Sequence, residues 1–167
     1  MVLTKSELLG LLQNEVHILQ HLCTKIDAVS VNYRPTGNQR STLELLKYLA
    51  VMGPVLVKSA LGGTFDQDSW VSRQAALADA DLPAVVAALA AHAEEYNTML
   101  AAVPDETFRA DVEFFGSKYT VGSAIVALVL AGCAAYRTQL FCYLKASGRS
   151  ELGTMNLWAG IDAPPAA

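Results

Sequence analysis

The sequence predicts an all-α protein: a four-helix bundle with a short extra helix or irregular segment between its second and third helices. Three observations predict it. Apolar residues recur at helical spacing along four long stretches. Two of those stretches open with the same capping device, Thr4 with Glu7 and Ser41 with Glu44. Pro, Gly and Asn gather between the stretches and are sparse inside them.

The first helix follows Thr4 and carries the stripe Leu8, Leu12, Val16, Leu19, Cys23 and Ile26. It runs up to the loop Asn32-Tyr33-Arg34-Pro35-Thr36-Gly37-Asn38. The second helix follows Ser41 with Leu45, Leu49, Met52 and Leu56, and Gly62-Gly63 ends it. Pro54 stands inside it, lacks an N–H, and is expected to kink the helix or restart it. Residues 65–80 read as a short helix with loop, capped by Asp66 or Asp68.

The third long helix starts at Asp81-Leu82-Pro83, with Asp as cap and Pro in the first turn, and ends near Val103-Pro104. Residues 104–119 alternate partly and suggest an extended or hairpin segment. The fourth helix runs from Thr120 to Ser147 with Gly148 behind it. Its first half is apolar on nearly every face, so the other helices are expected to bury it. The tail after Gly153 should be irregular, with Trp158 docked on the body. No repeat or linker divides residues 1–167, which read as one domain.

Apolar residues make up 53% of the chain and charged residues 17%, a surplus of core formers that must be buried somewhere. Twelve basic and sixteen acidic residues leave a net charge of -4, with no basic cluster. Nucleic acid and acidic lipid are therefore poor partners. The uncharged run Tyr119–Tyr136 approaches the length of a membrane span, but it holds Gly, Ser and Thr and lacks basic flanks, so it reads as a bundle helix. The start of the chain shows no secretory signal pattern, and Cys23, Cys133 and Cys142 sit at no metal or redox spacing. We read them as reduced core residues of a cytoplasmic protein.

Three segments, in order along nearly the whole chain, carry a family resemblance. They are Asn32-Tyr33-Arg34-Pro35 with the capped run from Ser41 to Ala50, then Gly132 to Leu140 with its continuation to Gly148, and finally Leu152 to Asp162. Together they resemble the DinB/YfiT-like bundle proteins. The resemblance implies an up-down-down-up four-helix bundle, often dimeric, whose metal-bearing members hold a divalent metal with three histidines. Some of those members transfer a low-molecular-weight thiol such as bacillithiol, mycothiol or glutathione.

The chain departs from that pattern where the metal would sit. The three histidines fall on Tyr48, Gly132 and Tyr136, and Thr138 replaces a glycine. Arg137 and Gln139 keep the family residues. Glycine offers no ligand atom, and a protonated phenol with a pKa of about 10 is a poor ligand beside imidazole. A three-histidine site is therefore not expected, and neither a metal nor another cofactor is assigned. Gly132, Tyr136, Gln139 and Tyr143 share one helix face. The Tyr48 ring is expected to fill the space beside Gly132, its hydroxyl bonded to Tyr136 or Gln139.

Glu15 lies roughly 40° from Leu19 on the helical wheel, at the edge of the apolar stripe, and needs a partner there. Arg137 is the candidate, as a structural pair or as a holder of ligand. His17 and His21, at metal-pair spacing, both lie roughly 160° from Leu19 and read as exposed, open to adventitious nickel or zinc. His92 reads as a hydrogen-bonded core or rim residue. Tyr33, Trp70, Phe114, Phe115 and Trp158 read as core or interface. No nucleophile signature or phosphate loop is present.

Two functional classes follow. The leading one is a homodimeric bundle without its own metal that binds a small molecule or a partner. Its pocket would be Tyr48, Gly132, Tyr136, Arg137 and Gln139, with Glu15 and Tyr143 behind. The alternative is a thiol-dependent transferase, working either without metal through Arg137, Tyr48 and Tyr136 or with a metal relocated to His92.

Overall fold

The computed structural model describes residues 3–164. Four long helices build the bundle: α1 (Lys5–Cys23), α2 (Thr42–Gly62), α4 (Leu82–Ala101) and α5 (Val121–Ala146). A short α3 (Gln67–Ala76) follows α2, a β-hairpin of β1 (Asp111–Phe114) and β2 (Ser117–Thr120) precedes α5, and α6 (Thr154–Trp158) closes the order. α1 and α2 each pack on α4 and on α5, so they face one another across the bundle. Leu12, Ile18, Leu45, Leu46, Leu89, Ile125 and Leu140 fill the centre, each almost fully buried.

The helix starts are where the sequence places them. Thr4 with Glu7 and Ser41 with Glu44 form complete capping boxes. Asp66, of the two candidates, caps α3, and Asp81 caps α4 with Pro83 just inside. Gly63 ends α2 at φ 74°, where a residue with a Cβ would be strained. The segment before α5 is a hairpin, with Asp111 opposite Thr120 and Phe114 opposite Ser117. Its turn residues Phe115 and Gly116 both have positive φ, 52° and 76°, as a two-residue turn of this hand requires.

Several expectations are corrected. α1 stops at Cys23, short of Ile26, because the Asp27 carboxylate takes the Ser30 amide and hydroxyl into a local turn that competes with the helix. Pro54 does not break α2. The lost N–H would have served the Ala50 carbonyl, and Nε2 of His92 donates to that carbonyl instead, at 3.0 Å. Gly53 leaves room for Tyr96, whose hydroxyl would collide with a Cβ there. α4 thus repairs α2 through His92 and packs Tyr96 against Gly53 one turn further on.

The fourth long helix is not buried by the others. Only 28% of its most apolar window is covered, against 72% in α2, because α5 packs on α1 and α2 and leaves its outer face bare. Val126, Ala127, Ala131, Ala135 and Cys142 are exposed there, so Cys142 is not a core residue. Wide helical turns over Ile125–Leu130 also shift this face relative to a regular wheel. The tail is not wholly irregular: it forms α6, while Trp158 remains 67% exposed.

Candidate functional site

The capped start of α2 sets the position of Tyr48 two turns in. Arg34 binds the Glu44 carboxylate of that capping box at 3.1 Å and ties the preceding loop to it. α3 brings Trp70 to one side of Tyr48, and α5 brings Tyr136 to the other. The Tyr48 ring meets Tyr136 edge-on with centroids 5.0 Å apart, and Trp70 at 5.8 Å. The Arg40 guanidinium lies 4.2 Å from the same ring. Tyr48 is half-buried, and burial first, then the Tyr136 phenol, pushes its hydroxyl up to about 12. A cleft of about 200 Å³ beside it is bordered by Arg40, Lys47, Val51 and Leu77.

Gly132 sits on α5 one turn before Tyr136. Met52, not Tyr48, covers it: a Cβ at Gly132 would meet the Met52 methyl at 3.3 Å and its sulfur at 3.4 Å. The Gln139 amide donates to the Tyr143 hydroxyl rather than engaging Tyr48. Tyr143 in turn packs edge-on against Tyr33 at 5.6 Å. Gln139 and Tyr143 therefore form a second aromatic cluster, further along α5, that anchors the α1–α2 loop.

Arg137 turns away from both clusters into the α1–α5 seam, where it meets Glu15 at 3.4 Å. The two side chains are 6% and 14% exposed. Burial raises the Glu15 pKa, and Arg137 only partly offsets it. Glu15 Oε2 and Arg137 Nε have no hydrogen-bond partner among the described residues. Arg137 also lies 5.7 Å from the Trp158 ring.

His21 is not exposed as expected, because the tail covers it. The Asn156 amide donates to His21 Nε2 at 3.0 Å and to Asp162 Oδ1 at 2.9 Å, and Lys25 pairs with Asp162 at 2.6 Å. An acceptor Nε2 means a neutral ring, and burial lowers the His21 pKa in agreement. His17 stays exposed, with Gly160 packed beside its ring.

No family model matches the chain, and no curated protein matches it. The crystal structure of a DinB-like protein from Bacillus subtilis, YjoA, is similar to it at a TM-score of 0.66, covering 88% of this chain and 95% of that one at 18% identity. The chain has a DinB-like fold. That likeness concerns the fold and says nothing about ligands.

Tyr48, Gly132 and Tyr136 are the residues at which the sequence resemblance would put metal ligands. Tyr48 is a phenol whose proton is held more tightly than usual, Tyr136 packs its ring against that phenol, and Gly132 offers no donor under a methionine. This donor set does not fit a divalent metal of the imidazole-preferring kind. Among the described residues, no group of three His, Cys, Asp or Glu side chains converges anywhere. His92 spends Nε2 on the Ala50 carbonyl, and burial lowers its pKa to about 4.

The candidate site thus keeps Tyr48 with Tyr136, places Gly132 beside Met52, and separates Gln139, Tyr143 and the Glu15–Arg137 pair from them. Sequence reasoning missed Arg40, gave Met52 only to the apolar stripe of α2 and put Trp70 only in a general aromatic set. The place of Met52 beside Gly132 had a signal, since Met52 lies one helical turn beyond Tyr48. Arg40 had none.

Proposed function

We propose that this DinB-like protein works without a three-histidine metal centre, as a binding module that is cytoplasmic and pairs with a second copy of itself. One observation carries the metal-free reading: at the positions where the resemblance puts imidazoles stand two phenols and a bare glycine, with Trp70 and Arg40 packed on Tyr48 and Met52 closed over Gly132. Such a set offers packing surface and no Lewis-basic nitrogen at neutral pH.

The bare face of α5 supports the pairing. Ala131, Ala135 and Cys142 are small and exposed, and no charge stands between Tyr119 and Tyr136. Small residues let two helices approach closely, and a two-fold axis needs only one such face. The chain's apolar surplus would be covered there.

The thiol-transferase reading required a cation beside the two phenols. Arg40 supplies one over Tyr48, while Arg137 is committed to Glu15. A thermal-shift screen with glutathione, mycothiol and bacillithiol tests it. A ligand that binds only the folded state raises Tm. No shift with any of them, together with an untagged protein that purifies without stoichiometric metal, is the expected result. A stabilising thiol whose effect Tyr48→Phe abolishes would replace the binding-module reading with the transferase one.

A further inference from the structure

A cavity of about 670 Å³ opens at the end of the bundle where α1 and α5 begin, remote in sequence from the Tyr48 cluster. Its size falls in the range of about 300–1,000 Å³ typical of small-molecule sites. Leu8, Phe108, Tyr119, Val126 and Ala127 make its walls apolar. Gly122 lets the turn before the hairpin close one side, since a Cβ there would stand 3.1 Å from the Phe108 carbonyl.

The polar groups around it are almost all spent. Thr4 and Thr120 cap their own helices, and Ser123 answers Thr120. Lys5 donates to the Val103 carbonyl at 2.9 Å and faces Asp105 at 3.9 Å. Arg109 is different: it lines the cavity, is exposed, and has no ion-pair or hydrogen-bond partner among the described residues. The α5 N-terminus, which opens on the same space, carries no acidic residue in its first turn. Its partial positive charge therefore adds to that of Arg109.

We propose that this cavity binds an apolar monocarboxylic acid, with its hydrocarbon against Phe108 and Val126 and its carboxylate on Arg109. A greasy site whose one free cation among the described residues is Arg109 favours that charge pattern over a neutral or cationic amphiphile. The inference rests on the binding-module reading and adds a place and a ligand class to it. The metal question is separate and is decided by metal measurements alone.

The test is calorimetric titration of the full-length protein with decanoate below its micelle concentration, with decanol as the uncharged twin. Saturable decanoate binding is expected. Arg109→Gln should weaken it about tenfold and leave decanol unchanged, as the loss of one charge-assisted contact would. Ala127→Trp, on an exposed part of the wall, should abolish binding of both, and Val126→Glu serves if that variant is unstable. Absence of saturable binding, or binding indifferent to Arg109→Gln and the wall variants, overturns the proposal. So does a changed sedimentation coefficient of the ligand-free Ala127→Trp protein without decanoate binding in the parent, because the cavity wall would then be a subunit interface.

Discussion

Nε2 of His92 donates to the Ala50 carbonyl at 3.0 Å, filling the hydrogen bond that Pro54 withholds from its own helix. Both groups are buried, so neither has water as a substitute. α2 stays continuous through Pro54 because a side chain from α4 completes its ladder.

Replacing His92 by Leu should therefore cost about 1–3 kcal/mol, the penalty of an orphaned buried carbonyl. In a Pro54→Ala background the helix supplies its own donor, and the same replacement should cost less. The double-mutant cycle, read by denaturant unfolding, should give a coupling of about 1 kcal/mol. Strict additivity would contradict the repair.

His92 also sets a pH dependence. Burial lowers its pKa from 6.5 to about 4, with the Ala50 hydrogen bond and then Glu95 opposing and Arg73 assisting. Between those values the unfolded chain binds a proton that the folded chain refuses, so stability is full above 6.5 and is lost as pH falls toward 4. The full loss is about 3 kcal/mol. Glu15 acts with the opposite sign, since its raised pKa makes protonation favour the folded state. The difference between parent and His92→Leu across this window isolates the histidine, and parallel profiles would refute its role.

The buried Glu15–Arg137 pair should behave asymmetrically. Arg137→Met alone leaves Glu15 charged and unpaired in the seam and should cost about 3–5 kcal/mol. The double change Glu15→Leu with Arg137→Met should recover most of that, since desolvation already works against the pair. Urea unfolding of the three proteins checks it. Equal losses for the single and double variants would show that the ion pair itself holds the seam.

Thiol chemistry reports on the α5 face. Burial pushes Cys23 and Cys133 up to about 12, whereas Cys142 is exposed. A maleimide should label Cys142 alone in the native protein. If two copies meet along α5, labelling should slow as concentration rises, and Ala135→Glu should restore the dilute rate while shifting sedimentation to the monomer. Concentration-independent labelling with monomeric sedimentation would leave that face uncovered.

Local grammar was legible in the sequence, and long-range compensation was not. The boxes Thr4–Glu7 and Ser41–Glu44 lie within single turns, so short-range chemistry determines them. The Glu15–Arg137 pair was legible because a carboxylate beside an apolar stripe demands a cation, and few candidates exist. Pro54 read as a kink or a restart, and the helix runs on without a restart because the remedy lies on another helix. His21 read as exposed because Asn156 reaches it from the far end of the chain. At the candidate site the Tyr48 and Tyr136 rings meet edge-on, and Met52 takes the space beside Gly132 where the Tyr48 ring was expected. Which neighbour fills a void is a packing outcome that no residue pattern encodes.

Zinc titration against a competing chelator tests the central claim most directly. The untagged parent, carrying His17→Gln to remove the exposed histidine, should bind no zinc in competition. Restoring the three imidazoles with Tyr48→His, Gly132→His and Tyr136→His, and shortening Met52 to Ala for room, should create one competitive equivalent. A parent that takes up one tight equivalent, lost on Tyr48→Phe or Tyr136→Phe, would contradict the account.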